Sequence, residues 1–186
     1  QGLKFLREHP LDNSIPEVNI LPPVVICSLG DASITEGEVS EAFQFAVLQK
    51  LPIIYLIQDN GWGISVKAEE ARSMDAYEFA AGFTGMNRVR VDGSDFEASY
   101  DCIGGIMSQV RQGSGPWIVQ AKVPLLGHHT SGVRKEFYRD DAELEMSAKD
   151  DPGIKLKQKL LESGISPLHL DQIERRAEAD VRTDFN

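Results

Sequence analysis

Short apolar runs alternate with amphipathic stretches along the first two thirds of the chain. Residues 24–29 ("VVICSL") and 52–58 ("PIIYLIQ") have the length and composition of strands buried on both faces. Between them, from Thr35 to Lys50, apolar residues recur at the spacing of one helix face: Val39, Ala42, Phe43, Ala46 and Val47. Thr35, with Glu38 three residues later, predicts a capping box at the start of this helix. The order strand, helix, strand predicts a right-handed βαβ unit with parallel strands.

The alternation continues beyond this unit and sets the fold class. Two further helices are predicted at "DAYEFAAGF" and at residues 96–111, and two further strands at "RVRV" and "PWIVQAKV". Residues 141–186 contain Pro152, Gly164 and Pro167 and predict two or three helices. We therefore predict an α/β fold with a parallel sheet flanked by helices and a helical C-terminal tail.

Four segments follow from this pattern. Residues 1–22 begin with "QGLKFLREHP", which is typical of the last turns of a helix and a linker, so we expect a domain truncated at its N-terminus. Residues 23–124 form the α/β domain, and 141–186 form the helical tail. Residues 125–140 are a polar loop with two adjacent histidines, too long for a simple connection.

Composition removes several classes of function. The formal net charge of −10 argues against binding to nucleic acid, and no long basic run offsets it. The chain contains no apolar run near the ~20 residues that a membrane-spanning helix requires. Two cysteines are too few for a disulfide framework, so a reducing compartment is favoured.

Polar residues stand at the ends of the first two predicted strands. Asp31 follows the first strand and Asn60 the second, and the carboxyl ends of parallel strands lie at one edge of the sheet. Oxygen ligands of this kind suit a hard cation such as Mg²⁺. The amides of Ala32 and Ser33, at the turn into the helix, are placed to face an anion. Asp31 alone, or Asn60 alone, is more typical of a turn or a helix cap, so the prediction of a cation site rests on the two together.

The residues around this site resemble a known family. "GDASITEGEVSEAFQFAVLQKLPIIYLIQDNGWGIS" is similar to the thiamine diphosphate signature, and "RVRVDGSDF", "GHHTSGVRKEFYR" and "AKDDPGIKLKQKLLESG" follow in the family's order. Together, over about residues 22–180, they resemble the α subunit, or α part of an αβ fusion, of the first component of 2-oxo acid dehydrogenase complexes. The double histidine favours the branched-chain (2-oxoisovalerate) type.

The resemblance implies roles for individual residues. Asp31 and Asn60 would bind Mg²⁺ with their side chains and Trp62 with its backbone carbonyl. The diphosphate-facing residues would be Gly30, Ala32, Ser33 and Ile64. Ala32 replaces the family's usual glycine, and Asp59 replaces the first asparagine of its Asn-Asn pair. Residues 23–124 would thus be part of a domain that binds Mg²⁺ and diphosphate.

The histidine loop supplies the implied catalytic residue. His129 lies nine residues before Tyr138, which is the position of the family's loop histidine. In the family this residue contacts the cofactor and supports the transfer of the acyl group to lipoyl-lysine. An exposed, non-functional side chain is the alternative for any single loop histidine, and for His128 the two interpretations remain open.

The implied reaction is the oxidative decarboxylation of a 2-oxo acid, branched-chain or pyruvate, with thiamine diphosphate and Mg²⁺ as cofactors. The implied partners are a β subunit or β domain, in an α2β2-type or fused homodimeric assembly, and the lipoyl domain of a transacylase core. The chain would act in the bacterial cytoplasm or, if eukaryotic, in the mitochondrial matrix. Because the family's activating glutamate has no match here, we expect the segment alone to be inactive.

Two alternatives remain open from the sequence. Another thiamine diphosphate enzyme, such as a transketolase or a simple decarboxylase, would share the pattern from Asp31 to Asn60 but not the histidine loop. A non-catalytic α/β scaffold would share the fold but would not bind the cofactor. The 2-oxo acid itself is not encoded in these residues.

Overall fold

Four parallel strands form the central sheet in the computed structural model, which describes residues 22–185. The order in the sheet is β1-β2-β6-β5, and the strands are Val25–Gly30 (β1), Ile53–Asp59 (β2), Asn87–Asp92 (β5) and Trp117–Lys122 (β6). A short antiparallel pair, Trp62–Gly63 (β3) and Val66–Lys67 (β4), follows β2. These strands and the helices around them confirm the predicted α/β class with a parallel sheet.

Helices cover the sheet and continue beyond it. The helices are Gly37–Leu48 (α1), Ala68–Ala71 (α2), Ala76–Phe79 (α3), Phe96–Arg111 (α4), Asp141–Lys149 (α5), Pro152–Glu162 (α6) and Pro167–Phe185 (α7). Three 3₁₀ turns occupy Asp31–Thr35, Ala80–Gly82 and Lys135–Phe137. Helices α5 to α7 form the predicted C-terminal tail. Among the described residues, no helix is long and apolar enough to span a membrane.

Side chains alternate between the two faces of the sheet, and each face is packed against helices. On one face, Tyr55 and Ile118 pack with Phe43 of α1, whose ring centroid lies 4.7 Å from that of Tyr55. On the other face, Ile54 and Val119 pack with the buried side of α4. The period of two along β2 and β6 therefore divides one sheet between two apolar clusters.

Strand β1 corrects one expectation. It lies where its sequence predicts, but Val25 and Ile26 are 39% and 49% exposed, so it is not buried on both faces. Within the described residues β1 pairs only with β2, which makes it an edge strand. Cys27 and Leu29 pack against the cluster around Phe43, whereas no helix among residues 22–185 covers Ile26 on the opposite side.

The predicted capping box is also wrong. Helix α1 begins at Gly37, its N-cap residue is Glu36, and that cap has no side-chain hydrogen bond. The reason is that Thr35 belongs to the 3₁₀ turn Asp31–Thr35, which carries the chain from β1 into the helix. The predicted end of a helix and linker at residues 1–22 lies almost entirely outside the described residues.

The register of the strands brings all four carboxyl ends to one edge. Gly30 of β1 is aligned with Gln58 of β2, and Asp59 and Asp92 are both aligned with Lys122 at the end of β6. In an open parallel sheet, this edge is where ligands bind. Asp31 lies directly after β1 at this edge, and Asn60 lies directly after β2.

Candidate functional site at the carboxyl edge of the sheet

A buried carboxylate stands at the start of the turn after β1. Asp31 is only 2% exposed, and its Oδ2 accepts a hydrogen bond from Nη2 of Arg72, whose side chain is also buried. Burial raises the pKa of Asp31 above its usual value; Arg72 opposes this rise, and Asp59 adds to it. The carboxylate is therefore kept away from water, beside a cation and close to a second acid.

The second acid belongs to a polar network across the ends of β2 and β6. Asp59 Oδ2 accepts hydrogen bonds from Gln120 Nε2 at 2.7 Å and from Lys122 Nζ at 3.3 Å. Its Oδ1 accepts from the backbone N–H of Gly61 at 3.1 Å. Both oxygens of Asp59 are thus hydrogen-bonded, so we assign this residue a structural role in linking the ends of β2 and β6.

Asn60 forms the turn that leads to the next candidate ligand. Its Oδ1 accepts the backbone N–H of Trp62 at 2.9 Å, and its side chain is half-buried. This bond fixes the amide oxygen on the side of the turn where Trp62 begins β3. A cavity of about 260 Å³ opens beside Asn60 and is also lined by Lys122, Leu125 and Asp150.

Strand β3 packs tightly on the turn after β1. A Cβ atom at Gly63 would lie 3.1 Å from Cβ of Ala32, a separation that requires the neighbouring residue to shift. Ile64 follows with a φ of 59°, a left-handed conformation that is uncommon for a β-branched residue. Its side chain is 43% exposed. The turn at Ala32 and the segment from Trp62 to Ile64 are thus held against each other.

Trp62 connects this site to the histidine loop. It is 8% exposed, and its ring centroid lies 5.1 Å from that of Tyr138. The guanidinium of Arg139 lies 5.8 Å from the same ring centroid, within the range of a cation–π contact. The C-terminal end of the loop therefore rests on the residue that follows the Asn60 turn.

Arg139 clamps the two ends of the loop to the C-terminal tail. It is 8% exposed and donates to the backbone oxygens of Leu125 at 2.9 Å and Glu143 at 3.0 Å. A further bond reaches Ser147 Oγ at 2.6 Å. One guanidinium near the end of the loop thus connects the first residue of the loop to helix α5.

The two histidines occupy different environments in this loop. His128 Nδ1 accepts the backbone N–H of Lys135 at 3.3 Å and lies 3.9 Å from Glu136 Oε2. His129 is exposed and makes no hydrogen bond or ion pair with the described part of the chain. Its imidazole is consequently free to meet a ligand or a partner.

The structure places the predicted site residues in two groups. Asp31, Ala32, Asn60 and Trp62 lie together at the carboxyl edge, with Gly30, Ser33 and Ile64 adjacent to them in the same turns. His129 is in the loop and makes no hydrogen bond or ion pair with that group within the described residues. Within residues 22–185, no group of three or more His, Cys, Asp or Glu residues is arranged as a metal site. The predicted ligand set contains a single carboxylate.

Sequence reasoning missed two cations at this edge. Lys122 ends β6, so the rule that identified Asp31 and Asn60 at strand ends would also have found it. Arg72 lies 41 residues from Asp31 in sequence, just after α2, and belongs to no motif. Only the folded chain shows that the two side chains meet.

Comparison with known families shows which family the chain belongs to. Residues 21–186 match the model of the family described as "Dehydrogenase E1 component". The chain belongs to the dehydrogenase E1 component family.

Several curated members of this family are similar to the chain. The 3-methyl-2-oxobutanoate dehydrogenase subunit alpha of Mycobacterium tuberculosis is 31% identical over 155 residues, which are 83% of this chain and 42% of that protein. The pyruvate dehydrogenase E1 component subunit alpha of Mycoplasma pneumoniae is 28% identical over 89% of this chain and 46% of its own length. The mitochondrial 2-oxoisovalerate dehydrogenase subunit alpha of Mus musculus is 30% identical over 76% and 32%. The chain spans less than half the length of these E1 relatives.

The clamp formed by Arg139 yields a prediction about this E1 chain. Replacing Arg139 by Lys keeps the charge but removes the fork that reaches three acceptors. Since hydrogen bonds from a charged donor contribute about 1.5–3 kcal/mol, we expect the loop to open more easily by about 2 kcal/mol. Hydrogen exchange measured by mass spectrometry on peptides covering 124–140 of the full-length protein would detect this.

The matched control is Arg134→Lys in the same loop. Arg134 is 64% exposed and contacts Glu136 at 3.4 Å, so its replacement should leave exchange in the loop unchanged. Equal protection of the loop in the Arg139→Lys variant and the wild type would contradict the clamp.

Proposed function

We propose that this chain supplies the Mg²⁺ and diphosphate half of a thiamine diphosphate site in the first component of a 2-oxo acid dehydrogenase complex. The observation that carries the proposal is the placement of Asp31, Asn60 and Trp62 at the carboxyl edge of one parallel sheet. A side-chain carboxylate, a side-chain amide oxygen and a backbone carbonyl are hard oxygen donors, which suit Mg²⁺.

The residues present fit this group. Asp31 is a buried carboxylate that already neighbours a positive charge, so the position accommodates a cation. Asp31 and Ala32 open the 3₁₀ turn, where the first backbone N–H groups have no acceptor within the turn. Ala32 lies against Gly63, which brings the turn close to the segment that contains Trp62. Asp31, Asn60 and the carbonyl of Trp62 would hold Mg²⁺, and Gly30, Ala32, Ser33 and Ile64 would contact the cofactor.

The reaction that we propose is the oxidative decarboxylation of a 2-oxo acid, with the acyl group transferred to lipoyl-lysine. Bound thiamine diphosphate supplies the electron sink for the loss of CO₂. The chain's own residues would orient the cation and the diphosphate. The histidine loop contacts this edge of the sheet through Trp62. The names of the relatives support a branched-chain 2-oxo acid or pyruvate as substrate.

The proposed partners complete the site. A β subunit or β domain would contribute the remaining half, including the group that activates the cofactor, in an α2β2-type or fused homodimeric enzyme. A lipoyl domain of the transacylase core would receive the acyl group. The relatives are named as α subunits, which supports a partner chain or domain of this kind.

We assign His129 to the transfer of the acyl group. Its imidazole is exposed and free of protein hydrogen bonds in the described residues, as a group that acts on an incoming lipoyl arm must be. His128, by contrast, is engaged with the backbone of Lys135 and helps to shape the loop.

The metal role of Asp31 can be tested in the full-length enzyme with its partner. The isosteric change Asp31→Asn should weaken Mg²⁺-dependent binding of thiamine diphosphate at least about 100-fold, since it removes the only carboxylate ligand. Isothermal titration calorimetry measures this affinity directly, and circular dichroism reports whether the variant is folded.

Asp180→Asn is the control for this measurement. Asp180 is also paired with an arginine, Arg176 at 3.8 Å, but it lies in α7 and does not belong to the proposed ligand set. Its variant should bind the cofactor with nearly wild-type affinity. An Asp31→Asn enzyme that is folded and binds the cofactor with wild-type affinity would exclude the proposed metal site.

The role of His129 predicts a selective defect. In the assembled enzyme, His129→Ala should slow acyl transfer to the lipoyl domain by about 10²-fold or more, the usual contribution of a positioned acid–base group. Thiamine diphosphate affinity and decarboxylation with a dye as electron acceptor should change much less. Both rates are measured on the same preparation.

His128→Ala is the matched variant for this experiment, since it removes a neighbouring imidazole from the same loop. It should affect the lipoyl-dependent rate less than His129→Ala. Equal losses in transfer, dye reduction and cofactor affinity would show that His129 acts through folding, and a wild-type transfer rate would remove it from the reaction.

A further inference from the structure

Arg72 belongs to this edge, and the proposed function leaves it without a role. It reaches Asp31 from the segment after α2, which is fixed by bonds from the N–H of Ala68 to the oxygen of Gly61 and from the N–H of Arg72 to the oxygen of Ala68, both at 2.9 Å. The side chains of Arg72 and Asp31 are 6% and 3% exposed. An arginine is thus held where the proposed cation would approach its carboxylate.

We propose that Arg72 is a positioning residue that changes partner when the site is filled. Without a cation it neutralises Asp31; when a divalent cation binds Asp31, the guanidinium leaves the carboxylate and binds the phosphoanion that arrives with the metal. The inference rests on the proposed function, because it takes Asp31 to be a metal ligand.

Charge and burial favour the first half of this exchange. A buried carboxylate without a counter-ion is strongly unfavourable, so the ionised form of Asp31 needs a cation beside it. Arg72 provides it in the structure. A divalent cation bound to Asp31 would repel the guanidinium on Oδ2, which weakens the contact of Arg72 with the carboxylate and favours its departure.

The surroundings of Arg72 give it a second position. A cavity of about 250 Å³ at the same edge is lined by Arg72 and by Lys122, which also lies at the end of β6. Asp59, Asp75 and Glu78 also line this cavity. The guanidinium of Arg72 would therefore still lie near negative charges after it leaves Asp31. Guanidinium groups bind phosphate oxygens through two parallel hydrogen bonds, which suits a diphosphate at this edge.

The exchange predicts effects of opposite sign from one substitution. In the full-length enzyme with its partner, Arg72→Gln removes the charge but keeps an N–H donor for Asp31. Binding of Mn²⁺ alone, followed by the electron paramagnetic resonance of the free ion, should become at least about tenfold tighter because the competing cation is gone. Binding of inorganic pyrophosphate at saturating Mn²⁺ should become at least about tenfold weaker.

Lys122→Gln is the matched control, because it removes one positive charge from the same edge without touching Asp31. Its Mn²⁺ affinity should stay within about threefold of the wild type, since no direct competition is relieved. If both variants bind Mn²⁺ equally more tightly than the wild type, the effect comes from the overall positive charge of the edge. If Arg72→Gln weakens the binding of both Mn²⁺ and pyrophosphate, Arg72 has a purely structural role. Either result overturns the exchange.

Labelling of the wild type gives a second measurement that does not depend on a variant folding. Phenylglyoxal should modify Arg72 at least about threefold faster with Mg²⁺ than without it, and slowly again with Mg²⁺ and thiamine diphosphate together. Arg90, paired with Asp75, is the internal control in the same peptide map and should not respond. An unchanged rate at Arg72 contradicts the exchange, whereas failure of the wild type to bind Mg²⁺ and thiamine diphosphate contradicts the proposed function itself.

Discussion

The buried carboxylate of Asp31 sets the condition that the rest of the site satisfies. A carboxylate removed from water requires a compensating positive charge, and here Arg72 supplies it across a gap of 41 residues in sequence. This requirement explains why the segment from Trp62 to Arg72 folds back over the end of β1. The metal ion that we propose at Asp31 would enter an environment that already accommodates one positive charge.

A second dependence runs from the sheet edge to the C-terminal tail. Trp62 packs under Tyr138 and Arg139, and Arg139 binds Leu125, Glu143 and Ser147. The ion pair of Lys67 with Glu143, at 2.7 Å, joins β4 to helix α5, which contains Glu143 and Ser147. The loop that carries His129 is thereby fixed at both ends, while its centre remains exposed. Such an arrangement leaves His129 accessible while the contacts at the edge of the sheet stay in place.

Local patterns predicted the elements well because strands and helices depend on the spacing of apolar residues. The strand at β2, the helix at residues 96–111 and the alternation of β2 between two clusters all follow from that spacing. The exposure of β1 could not be predicted, because an apolar sequence does not show whether its strand lies at the centre or at the edge of the sheet. The capping box failed since Thr35 was recruited into the 3₁₀ turn.

The site was predictable to the extent that it depends on strand ends. The rule for parallel sheets identified Asp31 and Asn60 as candidate ligands and the resemblance to the family identified His129, and these roles stay predictions. Arg72 was not identified, since its role depends on a contact between distant segments. The most direct test of the metal site is anomalous diffraction from crystals of the full-length enzyme with Mn²⁺ and thiamine diphosphate. We predict one Mn²⁺ peak roughly 2.0–2.3 Å from oxygens of Asp31, Asn60 and the carbonyl of Trp62; a cofactor bound with its cation elsewhere would contradict the account.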